Sequence, residues 1–308
     1  MAPITHIHNG DVVAVRAKRA SISGDHLVFR ESLIGGPVVE GEGWIERRAK
    51  FLATVAGEDV LRMSNRLFEQ EQAIAAAAAN AEEIVLWFEH DLFCLVHLVY
   101  LLPRVPSGRT SLVWHDQPLG ELQPEELLRV HARRRPATRE MISAAREAWQ
   151  AYTATDPVAL GALLSASYEN FPFLREGLAL QASRFPSTRN GLGVIEQRVL
   201  EFIADGATDF SALYNRFWSS YPRFGFGDTE VLRHVHLLAG RRIPLIHLTE
   251  GSEGKASFTI TDQGEAILAG ADDIAVNGID TWLGGVHLTP QTLWRWDSQK
   301  AQIVAEAG

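Results

Sequence analysis

The chain has 308 residues, 46% of them hydrophobic and 22% charged, with a formal net charge of −9. That length supports two or three domains, and the acidic balance excludes a protein that coats nucleic acid through bulk charge, leaving only a local basic patch open. One cysteine, Cys94, excludes a disulfide framework and a multi-thiolate zinc site, so a reducing cytoplasm is the expected compartment.

No apolar run approaches a membrane span, and the start MAPITHIHNGD has no signal-peptide core. Ile4 to His8 alternates like a short strand, and Asn9-Gly10-Asp11 turns the chain with Asp11 placed as an N-cap. Val12 to Ala20 then reads as a helix and His26 to Arg30 as a second strand, a strand-helix-strand crossover. A Gly35-Gly36-Pro37 loop follows, and helical sequence runs from about Trp44 to Asn80 with a break near Gly57; its tail, AIAAAAANAEE, is strongly helix-forming.

The stretch EEIVLWFEHDLFC matters most. Ile84 to Phe88 has the length of a fully buried strand; it stops at Glu89-His90-Asp91, and an apolar helix starts at once. Ser111 to Trp114 reads as a fourth strand ending in His115-Asp116. Residues 1–120 are therefore expected to form a small Rossmann-like parallel sheet, whose carboxyl edge is where such sheets bind ligands. Neither phosphate-loop signature, G-x-G-x-x-G nor G-x-x-x-x-G-K-[ST], occurs.

Residues 121–190 read as a helical linker domain: a helix from Pro124, another over Thr138 to Tyr152, and a third over Val158 to Ala166 opened by Asp156-Pro157. Arg133-Arg134-Arg135 between them reads as a solvated loop or an anion site. Over 191–270, helices at Val194–Ala204, Phe210–Trp218 and Glu230–Leu238 (capped by Asp228) precede strands at Ile243–Leu248 and Ala256–Ile260 and a short helix at Gly264–Leu268. This is the order of a winged-helix-like α+β domain. With seven basic residues against ten acidic ones, it supplies phosphate neutralisation poorly, so packing or homodimerisation is expected ahead of duplex binding. Residues 271–308 form a Trp/Gly-rich C-terminal cap.

Four motifs, HIHNGD (His6 to Asp11), WFEHDLF (Trp87 to Phe93), FPSTRNGL (Phe185 to Leu192) and NGIDTWLGGVHL (Asn277 to Leu288), resemble the bacterial family built on the domain of unknown function 1835 over nearly the whole chain. The resemblance implies a cytosolic bacterial protein and one constellation made from the four motifs, and it carries no activity with it. Cys94 stands where relatives often place an acidic or amide residue.

The residues expected to do chemistry are His90, Asp91, Asp11 and Glu31, as acid-base groups or as ligands of a hard cation such as Mg²⁺ or Mn²⁺. Asn9, Arg30 and Asp116 are expected to bind a small anionic ligand, with Arg189 and Asn190 closing over it and Arg189 as an anion clamp. The opposing reading makes Asp91 a helix cap and His90 a turn residue, and SxxN-Gly before residue 192 a helix stop. Cys94 is read as a small core residue. The function expected is hydrolysis or group transfer on that ligand, with a ligand-sensing regulator and a non-catalytic interaction protein as alternatives.

Overall fold

The computed structural model describes residues 4–250, 256–274 and 278–306; Asn277 and most of the loop expected between Glu250 and Lys255 lie outside them. The chain divides into two compact units, Met1–Gly177 with Gly284–Val286 and Leu178–Leu283 with His287–Gly308. Boundaries expected at 120, 190 and 270 do not mark these units. The helices after residue 120 stay with the sheet because they cover it: Leu119 and Leu127 pack with Val13, Val85, Trp87 and Val113.

The first unit runs β1 (Ile4–His8), α1 (Asp11–Arg19), β2 (Asp25–Val28), α2 (Trp44–Ala56), α3 (Val60–Asn80), β3 (Glu83–Glu89), α4 (Leu92–Leu101), β4 (Thr110–His115), α5 (Pro124–Ala132), β5 (Arg135–Pro136), α6 (Arg139–Thr153) and α7 (Val158–Leu163), and α8 (Leu174–Ser183) continues into the second. It is an α/β arrangement. The sheet has the order β2-β1-β3-β4-β5, with β1 to β4 mutually parallel and β5 antiparallel. Strand β3 lies at the centre, and Ile84 to Phe88 are wholly buried, as an uninterrupted apolar run requires when both faces are covered. Gly57 ends α2 at φ 65, and the Asp59 side chain accepts from the Arg62 N–H to start α3.

Some local expectations are corrected. Strand β2 stops at Val28, so Arg30 lies beyond it. Gly10, not Asp11, is the N-cap of α1, and no side chain caps that end; Asp11 is instead drawn to Arg30. Asp228 is likewise the first residue of its helix, behind Gly227. Helix α7 is shorter than its sequence pattern, ending at Leu163.

The second unit contains α9 (Val194–Ala204), α10 (Phe210–Ser220), α11 (Asp228–Ala239), the antiparallel pair β6 (Ile246–Glu250) and β7 (Ala256–Ile260), α12 (Asp262–Ala269), β8 (Thr281–Leu283), all of β9 (Val286–Leu288) but its first residue, β10 (Trp294–Asp297) and β11 (Gln302–Ala305). Ile195, Val199, Leu213, Phe217, Val231, Val235, Leu245 and Phe258 form its buried apolar interior. The tryptophan-rich tail is tied to the 185–192 turn. The Trp296 N–H donates to the Pro186 carbonyl at 2.7 Å, the Thr188 N–H donates to the Trp296 carbonyl at 3.1 Å, and Arg295 pairs with Asp273 and Glu306. No helix among the described residues is long and apolar enough to cross a membrane.

Candidate functional site

Because β1 to β4 are parallel, their carboxyl ends share one edge of the sheet. Chain order reverses between β1 and β3, which opens a crevice beyond those two strand ends. The structure sorts the residues expected there into three groups.

The first group sits at the crevice and is buried. Asp91 is the N-cap of α4, accepting from the Cys94 N–H at 2.7 Å, so the cap reading of Asp91 is borne out. The surrounding hydrogen bonds fix one another. The Leu33 N–H donates to His97 Nε2, so Nδ1 carries the proton and donates to Asn9 Oδ1. Asn9 Nδ2 then donates to Cys94 Sγ at 2.8 Å. Burial pushes the Asp91 carboxyl up to about 8, and the neighbouring Glu89 charge adds to this. Burial also raises Glu89, holds the Cys94 thiol well above its ordinary range, and lowers His97 to about 3. Donor atoms of Glu89, Asp91 and Cys94 lie within 4.8 Å of one another. Two hard carboxylates suit Mg²⁺ or Mn²⁺; a neutral thiol would add little. Cys94, read as a small core residue, is buried in the core and also joins this network.

The second group flanks β2. Arg30 and Asp11 form an exposed pair at 2.5 Å. Glu31 is bound bidentately by Arg48, whose side chain is wholly buried; Arg48 also donates to the carbonyls of Ser32, Gly35 and Pro37. This guanidinium holds the Gly35-Gly36-Pro37 loop together, and Glu31 is committed to it. Asp11, Arg30 and Glu31 line a groove of about 700 Å³ with Leu27, Met63 and Leu67.

The third group lies past β3 and β4. His90 stacks on Phe173 and meets Trp114 edge-on, while His115 lies 3.9 Å from the exposed Asp116. His90 and His115 line a cavity of about 610 Å³ together with Arg133, Arg135, Glu169 and Asn170. The residues expected to share one pocket are thus split between a buried crevice and a cavity on either side. Adjacent strand residues point to opposite faces, so Glu89-His90-Asp91 cannot serve one wall.

Arg189 and Asn190 belong to the second unit. Arg189 donates to the Leu268 carbonyl, and the buried Asn190 bonds Ser187, Gln197 and the Ile267 carbonyl. Both hold the turn before α9.

A histidine stack on the α1 face of the sheet was not among the expected features. His6 and His8 alternate on β1 and are fully buried, His26 faces them from β2, and His131 meets His6 from α5. His26 Nε2 donates to the Ile22 carbonyl, so its Nδ1 accepts from His8 Nε2 at 2.8 Å. His8 Nδ1 is left with no hydrogen-bond partner among the described residues. Burial lowers His6 to about 4 and His8 to about 2, with His26 contributing in both. The i, i+2 spacing in ITHIH was the available signal.

A scan against protein-family models and a search of the curated proteins gave no match, so the functional reading rests on the site itself.

Proposed function

We propose that this protein is an enzyme acting on a small anionic ligand, phosphorylated or nucleotide-like, by hydrolysis or group transfer at the carboxyl ends of its amino-terminal strands. The observation that carries this is the cavity of about 610 Å³ in whose wall His90 and His115 stand with Arg133 and Arg135. Guanidinium groups recognise carboxylates and phosphates with paired donors, and an imidazole moves protons near neutral pH. In this reading Arg133 and Arg135 hold the anion and His90 transfers the proton. Glu89 and Asp91, one residue to either side of His90, are the groups that would hold a divalent cation. The strand order, a Rossmann-like 2-1-3-4-5, supports a ligand at this edge.

Full-length protein incubated with a panel of nucleotides and phosphate esters, with and without Mg²⁺, is expected to form product. His90→Gln should slow this by about 100-fold or more while leaving the urea midpoint in place. A His90→Gln enzyme as fast as wild type, or a wild type with neither turnover nor retained ligand in native mass spectra, removes the reading.

One observation favours the second reading, a ligand-sensing regulator. The succession α9, α10, α11, β6, β7 has the order of a winged helix, and such a unit joined to a ligand-binding sheet has the layout of a sensor. Its excess of acidic over basic residues opposes duplex binding.

A further inference from the structure

Strand β2 is the outermost strand of its sheet, bordered on its far side by no strand among the described residues. The Phe29 N–H donates to the His8 carbonyl of β1 at 2.9 Å, and the backbone groups of successive strand residues point to alternate sides. Asp25, Leu27 and Phe29 therefore turn towards β1, while His26, Val28 and Arg30 turn outward. The Arg30 N–H is already taken by Gln70 Oε1, at 2.6 Å. The N–H and C=O groups of His26 and Val28 thus face the groove of about 700 Å³ that runs along this edge. We propose that β2 is the seam of a homodimer, in which a second copy of this chain adds its own β2 antiparallel and the sheet continues through both copies.

An open strand edge is completed by another strand, and the groups that are open fix the register. His26 of one copy set opposite the partner's Val28 exchanges a pair of main-chain hydrogen bonds, and the two-fold axis repeats that pair. Leu27 then meets the partner's Leu27 on the axis, in a non-hydrogen-bonded position. A shift towards Arg30 would require Gln70 to release its N–H. A shift the other way would draw on Gly24, which lies outside β2 at φ +135.

Charge selects a copy of the same chain as the occupant. Asp11, Glu31 and Glu69 line the groove with Lys18, Arg30 and Arg66, so its ionised lining is balanced in a chain of net charge −9. Acidic copies repel one another, least where the local charge sums to zero. On α1, Asp11, Val15 and Lys18 are exposed at i, i+4 and i+7, which makes them one stripe along the groove wall. A two-fold axis normal to the sheet lays this stripe antiparallel on its copy, with Val15 on the partner's Val15 and each Lys18 against the partner's Asp11. On the other face of the sheet, Arg66 and Glu69 of α3 are matched by the same operation. An unrelated extended peptide would satisfy the strand edge but not the reversed stripe. Val15 and Val55, 45% and 39% exposed beside the groove, are apolar surface that the contact removes from water.

The test is sedimentation velocity on the full chain at tens of micromolar, which should give the mass of two chains. Val28→Pro removes an outward N–H and no bond to β1, and should leave a monomer. Lys18→Glu should weaken the dimer by about tenfold. Leu27→Cys should form a disulfide-linked dimer under mild oxidation, because Cα atoms facing each other at such a position lie about 4.5 Å apart and the native Cys94 is buried. Val158→Cys, exposed on α7, should not. If Val28→Pro does not fold, Lys18→Glu and the crosslink decide. The proposal is overturned by a monomeric wild type, including one that takes up an extended peptide along β2. It is also overturned by a dimer that Val28→Pro and Lys18→Glu leave intact, or by crosslinking at position 158 as complete as at position 27.

Discussion

Two places at the same edge of the sheet bury acidic groups, and they treat them in opposite ways. Behind β2, Glu31 meets a buried guanidinium through two bonds of 2.7 Å each, and that guanidinium also satisfies three carbonyls. Behind β3, Asp91 and Glu89 share their surroundings with amides, a thiol and each other; the His115 ring pulls Glu89 down, but no arginine or lysine is among the causes that move either acid. A buried charge with a complete set of partners has no freedom left for chemistry. A buried acid whose partners are neutral must choose its protonation state, and a substrate, cation or proton can change that choice. Sequence inspection put Glu31 and Asp91 in the same class; only burial and partners separate them.

The largest expected effect tests the paired side. Arg48→Ala strands the Glu31 carboxylate in a closed interior and should destabilise the protein by about 3–5 kcal/mol, read as a lower urea midpoint. Arg48→Met together with Glu31→Leu should recover much of that loss. A mild single variant would mean that water reaches this pair, and the contrast with Asp91 would weaken.

The next effect comes from pH. His6 and His8 titrate in the unfolded chain near 6.5 and in the folded protein near 4 and near 2. The unfolded state therefore binds more protons below pH 6.5. The stability these rings contribute is complete above that value and falls as pH drops towards 4, by up to about 3 kcal/mol for each ring taken alone. Asp91 acts in reverse. Its folded value near 8 lies above the unfolded 3.8, so its contribution is fullest at low pH and is lost as pH rises towards 8. Urea midpoints from pH 8 to 4.5 should show an acid limb that a His6→Leu, His8→Leu double variant flattens.

The smallest effect sharpens the unpaired side. Asp91→Asn keeps an oxygen to cap α4 and removes the ionisable group, so it should raise stability at pH 8 by about 1–2 kcal/mol and leave stability at pH 4.5 nearly unchanged. A loss at both pH values would show that the charged cap, not the acid pair, governs this position.

Much of the first unit was legible because its signals are local. The run Ile84 to Phe88 can only be a strand buried on both faces, and β1, α1, α4 and β4 follow from period and punctuation. What was hidden depends on pairing across distance. Nothing in WIERRAKF singles out Arg48 as the buried arginine and Arg47 as the one that reaches the Val39 and Glu42 carbonyls. That choice is made by Glu31, 17 residues earlier. The residues expected together at the sheet edge were not resolved into three groups, since the direction a side chain takes at a strand end depends on the turn that follows. Arg133 and Arg135, read as a loop or an anion site, became cavity wall because Arg135 pairs with Leu112.

That pairing also bears on how the chain avoids its own copies. Strand β5 is two residues long, an arginine and a proline. Proline offers no N–H to a further strand, and a guanidinium resists being covered. The sheet is thus sealed on this flank against edge-to-edge aggregation, and the short β2 remains as the flank where a nascent or partly unfolded copy would add.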